Sequence, residues 1–247
     1  MPPDVQENES RDIEALEARA LGDRHRRASG ISDVVLGGQD GLVNVLGVVL
    51  GVAAATSASA VVLVAGLAAA FAESLSMAAV AYTSTMAEAD VYESERAREM
   101  RHVRDIPALE REEIRDIYRS KGFEGEMLDK VVETITANRE VWVAVMMAEE
   151  HKLAPVERRQ ALRGALVVGV SSILGSLVPL VPFFLLPVRA GMVASVALAA
   201  LSLFAVGAYK GHVTTGRRSK SGLELAAIGI ATALVGYAVG ALLEVRP

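Results

Sequence analysis

The stretch AESLSMAAVAYTSTMAEADVYESERAREMRHVRD, residues 72–105, runs without a break from an apolar segment into a dense run of charge. Helical periodicity holds across the junction, so a membrane-crossing helix is predicted to continue as one long helix beyond the bilayer until Pro107 stops it. The charged block that opens here, residues 87–163, holds 18 of the chain's 30 acidic and 14 of its 25 basic residues. Both of its flanks are apolar enough to cross a membrane. The whole chain of 247 residues is 52% hydrophobic and 4% aromatic, with a mean hydropathy of +0.35, too apolar for an ordinary soluble domain of this size.

A membrane helix needs about 20 mostly apolar residues, and five stretches qualify: 34–55, 58–86, 164–186, 190–209 and 223–243. The predicted fold is therefore all-α: a polytopic membrane protein with five transmembrane helices and a three-helix insert between helices two and three. Its parts are an N-terminal arm (1–33), helices one and two (34–86), the helical insert (87–163) and helices three to five (164–247). The arm lacks the apolar core of a signal peptide, so it is expected to be kept, and its IEALEARAL stretch reads as a short amphipathic helix.

Lysine and arginine set the orientation. Arg24, Arg26 and Arg27 precede span one, Arg158, Arg159 and Arg163 precede span three, and Lys210, Arg217, Arg218 and Lys220 join spans four and five. All three clusters fall on one side, against Arg189 and Arg246 on the other. The arm and the insert are thus predicted to be cytoplasmic and the C-terminus outside or lumenal, in the inner membrane for a bacterial-type chain. Within the insert, a second helix is expected over 108–119 and a third over 124–151. The third carries Leu128, Val131, Val132, Ile135, Trp142 and Val145 as an apolar stripe for a small bundle or a dimer contact.

The chain has no cysteine, which excludes disulfides, zinc knuckles and iron-sulfur clusters and leaves oxygen, imidazole and thioether as metal ligands. No basic face with interleaved aromatics suggests nucleic acid. Neither a nucleophile constellation nor a phosphate-cradling glycine loop stands out, which argues against an enzyme of those kinds. Asp40 lies about seven residues into span one, roughly 10 Å along the axis. An ionisable group at that depth is expensive, so it faces a cavity or a partner. With Gly37, Asn44 and Gly51 it draws a polar and small stripe down one side, read either as a pathway lining or as hydrogen-bonded packing.

Span two supplies Glu73 and Met77 one turn apart. Magnesium and calcium gain little from sulfur, whereas ferrous iron and its neighbours accept mixed oxygen and sulfur ligands; Met77 as an apolar filler is the other reading. A carboxylate that holds a divalent cation must be deprotonated, so metal and proton compete for it. In the insert, Glu99 and His102 stand three apart on the first helix, Glu110 and Glu113 three apart on the second, and Met146, Met147 and Glu150 within one turn on the third. These faces suit a metal, and they also suit plain solvation in an acid-rich segment.

The order of these parts resembles the vacuolar iron transporter family: DVVLGGQDGLVNVLG in span one, AESLSMAAVAYTSTMAEAD in span two, the glutamate-rich insert, the MMAEE stretch and GVSSILGSLVPLVPFF in span three. The resemblance covers nearly everything from Asp33 onward. It implies a homodimer of five-helix protomers in a lipid bilayer, with a cytoplasmic metal-capturing insert. Ferrous iron, with manganese, cobalt, nickel or zinc as further cargo, would leave the cytoplasm in exchange for protons, and no prosthetic group would be needed. It further implies Asp40 and Met77, with Glu73 nearby, as pathway residues, and Glu99, Glu110, Glu113, Met146, Met147 and Glu150 as metal ligands. One position departs: the family pattern usually has a glutamate where this chain has His102. A membrane-anchored di-iron carboxylate enzyme and a metal sensor are the competing readings, since Glu-x-x-His and Glu-x-x-Glu on helices also build carboxylate-bridged iron pairs.

An imidazole at position 102 removes one negative charge and adds a proton-sensitive ligand. Metal capture by the insert is accordingly predicted to fall off below about pH 6, where imidazole protonates. Titrating metal into the isolated insert across pH, with His102→Glu beside it, checks this; identical curves would remove the idea.

Overall fold

Small residues at helical spacing inside apolar runs let membrane helices approach closely, and this chain places them in all of its spans. In the computed structural model, residues 25–56, 58–214 and 216–243 are described, with only the backbone of residues 25–31 and of Thr214. The expected amphipathic helix of the arm, Arg24 and Arg246 lie outside the described residues. Among those described, every regular element is helical: α1 (His25–Ala55), α2 (Ser59–Asp105), α3 (Pro107–Ser120), α4 (Gly125–Thr136), α5 (Arg139–Glu149), α6 (Arg158–Leu177), a 3₁₀ turn (Val178–Leu180), α7 (Val181–Leu185), α8 (Val188–Thr214) and α9 (Arg218–Leu242).

Among the described residues, five segments are long and apolar enough to cross a membrane: Ser32–Ala55, Ser59–Asp105, Arg158–Leu185, Val188–Val213 and Arg218–Leu242. They fall on the five expected spans. The continuation of span two is also present, because α2 is a single helix of 47 residues. At about 1.5 Å per residue it is roughly 70 Å long, more than twice the hydrocarbon core of a bilayer.

The chain divides into two compact units, one formed by the residues up to Ala78 and from Leu166 on, the other by Ala79–Ala165. In the first, Val45, Val49 and Ala53 of α1 pack with Val62 and Ala70 of α2 and with Leu180 and Phe183. A second cluster joins Leu42, Leu46 and Leu50 of α1 to Ala199 and Leu203 of α8 and Leu225 and Ala233 of α9. Between α1 and α9 the backbones nearly touch: a Cβ on Gly240 would collide with the Gly51 carbonyl, and one on Gly236 with that of Gly47. Within the third span the helix is interrupted by a 3₁₀ turn holding Pro179. Pro182 has no N–H to offer the Pro179 carbonyl, and Ser195 Oγ donates to it at 2.7 Å instead.

The second unit corrects one expected element. The third insert helix, expected unbroken over 124–151, is two helices, because Asn138 is extended at φ −119° and ψ 119° and caps a new start. Its Oδ1 accepts from the Glu140 N–H at 2.9 Å and the Val141 N–H at 3.2 Å. That capping bond offers the backbone an alternative to continued helix. The apolar stripe is consumed within the unit: Leu128, Val132, Ile135 and Trp142 are buried with Val103, Ile114, Val143, Met146 and Met147, while Val131 and Val145 pack on the margin.

The glycine contacts give a graded test. Gly240→Val should lower the stability of the purified full-length protein by about 1–3 kcal/mol, the usual cost of overpacking. Gly47→Ala, whose Cβ would meet only the Thr232 methyl at 3.3 Å and its carbonyl at 3.9 Å, should cost less. Thermal unfolding in detergent would read the ranking.

Candidate metal centre

Helical spacing places Glu95, Glu99 and His102 along one side of α2, one turn apart. Pro107 opens α3 at its first turn, so the chain turns back and brings Glu110 up to them. Glu99 and Glu110 are each only 2% exposed, contrary to the solvated faces that an acid-rich segment suggests. His102 Nδ1 is 3.2 Å from Glu110 Oε1 and 3.8 Å from Glu99 Oε1. The same Glu99 oxygen also meets His151, whose Nε2 is at 3.0 Å. The donor atoms of Glu99, His102 and Glu110 lie within 4.8 Å of one another, as do those of Glu95, Glu99 and His151. Such a mixture of imidazole and carboxylate suits iron, cobalt, nickel or zinc.

Burial pushes the Glu110 carboxyl up to about 7, helped by the charges of Glu113, Glu99 and Glu150 and a hydrogen bond with Glu99. Glu113 is raised as well, by burial first and then by Glu150 and Glu99, while His102 and His151 pull it down. Glu110 Oε2 is buried without a hydrogen-bond partner. A site that strains to hold its negative charge in this way gains from a cation.

The expected ligands do not all converge equally. Glu113 is half-buried beside the cluster and Glu150 exposed near it. Met146 and Met147 are buried in the apolar core of the unit. Glu95 and His151 join the cluster unforeseen. Glu95 is one turn from Glu99, a signal available in the sequence, whereas His151 lies past the end of α5, where helical spacing has no reach.

In the membrane-crossing unit, Asn44 Nδ2 donates to Glu73 Oε2. The Asp40 carboxyl lies within hydrogen-bonding reach of the same group. Asp40 of α1 and Glu73 of α2 thus meet at one place, with Asn44 one turn further along α1; Met77 follows Glu73 by one turn and is half-buried. Beside them, Ser74 Oγ donates to the Ala70 carbonyl at 2.7 Å and contacts Ser172 Oγ at 3.2 Å.

A family model described as the VIT family matches residues 31–241, which takes in both units. The chain belongs to the VIT family. Among its relatives in that family, the chain is 33% identical over 221 residues to vacuolar iron transporter 1 of Eucalyptus grandis, covering 87% of this chain and 89% of the relative. It is 29% identical over 215 residues to vacuolar iron transporter 1 of Arabidopsis thaliana, covering 87% and 86%. With the vacuolar iron transporter of Toxoplasma gondii it shares 30% over 257 residues, covering 95% and 85%.

For this VIT-family chain the Glu110 carboxyl has a consequence for stability. Its pKa is raised on folding, to about 7 from 4.5, so the folded state holds the proton more tightly than the unfolded one and Glu110 destabilises the metal-free protein as pH climbs from 4.5 towards 7. Glu110→Gln should flatten that dependence and raise metal-free stability at pH 7.5 by up to roughly 3 kcal/mol, at about 1.36 kcal/mol per pKa unit. Unfolding the metal-free protein at pH 5 and at pH 7.5 would measure it.

Proposed function

We propose that this chain is an iron transporter that moves ferrous iron, with manganese, cobalt, nickel or zinc as further cargo, out of the cytoplasm in exchange for protons. Its relatives carry the name vacuolar iron transporter, and the observation that carries the reading here is the meeting of Asp40, Asn44 and Glu73 within helices apolar enough to span a bilayer. Two carboxyl groups and an amide at that depth bind a divalent cation when ionised, and protons replace the cation when it leaves. Met77 adds a thioether acceptable to ferrous iron.

The insert acts as the cytoplasmic intake. Glu99, His102 and Glu110 take the metal first, and Glu113, Glu150 and the Met146–Met147 pair complete the ligand set as the site closes on it. The basic flanks of spans one, three and five keep this unit and the N-terminal arm in the cytoplasm. The protein works as a homodimer: Asn44 is exposed on a single chain, and lipid is a costly neighbour for an amide, so a second copy covers it.

A di-iron enzyme or a metal sensor would use the insert alone and leave Asp40 and Glu73 without a task. Reconstitution in liposomes separates the readings. With a ferrous gradient imposed, wild-type protein should drive protons the opposite way, and Asp40→Ala should reduce that movement to the level of protein-free liposomes. No metal-dependent proton movement with the intact protein would overturn exchange, and an active Asp40→Ala would overturn the pathway.

A further inference from the structure

The end of α5 is shaped to deliver an imidazole. The His151 N–H closes back on the Met146 carbonyl at 3.3 Å and the Leu153 N–H on that of Met147 at 2.9 Å. Between them Lys152 sits at φ +56°, in the left-handed region, which reverses the chain. His151 is thereby folded onto Glu99, with 15% of its side chain exposed against 3% for Glu99.

Glu99 is consequently shared. Its Oε1 is 3.0 Å from His151 and 3.8 Å from His102, and the two triads of donors, Glu95–Glu99–His151 and Glu99–His102–Glu110, have only this carboxylate in common. One divalent ion on the His102 side would use Glu110, whose buried Oε2 has no hydrogen-bond partner. It would leave Glu95 and His151 unspent. The permanent cation beside them is Arg98, which pairs with Glu95 Oε2 at 2.8 Å and approaches Glu99 Oε1 at 3.8 Å. That arginine is 46% exposed, so it can swing into solvent and cede both carboxylates to a metal.

We propose that Glu95, Glu99 and His151 form a second divalent-metal position in the insert, bridged through Glu99 to the position at His102 and Glu110, so that the insert loads metals in pairs. The proposal rests on the reading of the insert as a metal-capturing unit. One imidazole on each side selects borderline ions such as ferrous iron, cobalt, nickel and zinc over magnesium and calcium, which prefer oxygen alone.

Cobalt(II) titrated into the full-length metal-free protein in detergent tests the pair, with bound metal per chain measured by equilibrium dialysis and ligand nitrogen followed through the d–d absorption. His151→Ala and Glu95→Gln should each bind one cobalt fewer than wild type, and Glu110→Gln should lose the other. Glu95 lies at the margin of the cluster, so its amide variant keeps the fold, which helical circular dichroism verifies. Wild-type stoichiometry in both His151→Ala and Glu95→Gln, with metal lost in Glu110→Gln, would overturn the second position and leave capture standing. Wild-type stoichiometry in all three would overturn both.

Discussion

Carboxylates withdrawn from water without a fixed counter-charge are the constraint on which this molecule turns. Glu99 and Glu110 are buried in a unit whose neighbouring arginine is half in solvent, and Glu73 and Asp40 meet inside helices that have no lysine or arginine at that depth. A buried carboxylate left alone costs several kcal/mol. A proton, a neighbouring imidazole or a divalent cation can each relieve that cost. Electrostatics that is unfavourable in the empty protein is the kind that a bound cation would offset.

The scaffold around these acids is built to keep them in register. In the membrane-crossing unit, glycine lets α1 and α9 approach until their backbones touch, and an apolar solvent offers no hydrophobic drive to replace that contact. Ser195 covers the carbonyl that Pro182 leaves open. In the other unit, Met146, Met147 and Ile114 are buried in one core, and Ile114 stands one turn from the buried Glu110 on α3. Close packing transmits small shifts, and a metal that draws Glu113 and Glu150 inwards would be felt through this core.

Much of this was legible in the residues. Five apolar runs and the unbroken periodicity from residue 72 to 105 marked the spans and the long α2, because length and period are local properties that a bilayer or a helix imposes directly. Asp40 and Glu73 were conspicuous as charges in apolar runs, and Glu99, His102 and Glu110 as members of short helical spacings. The break at Asn138 was missed because the apolar stripe continues across it, and a single capping amide is a weak signal against a strong period.

The chain by itself therefore determined the helical class, the number of apolar spans, the separation of charge from apolar surface and where its acids stand along the helices. Tertiary structure alone decided which of them meet. It set Asn44 and Asp40 on Glu73, buried Met146 and Met147 in the core, and placed His151 on Glu99 across a separation of 52 residues. Helical period predicts neighbours only three or four residues apart; contacts between elements depend on where helices stop and how the chain turns, and here that rests on Pro107, Asn138 and the left-handed Lys152.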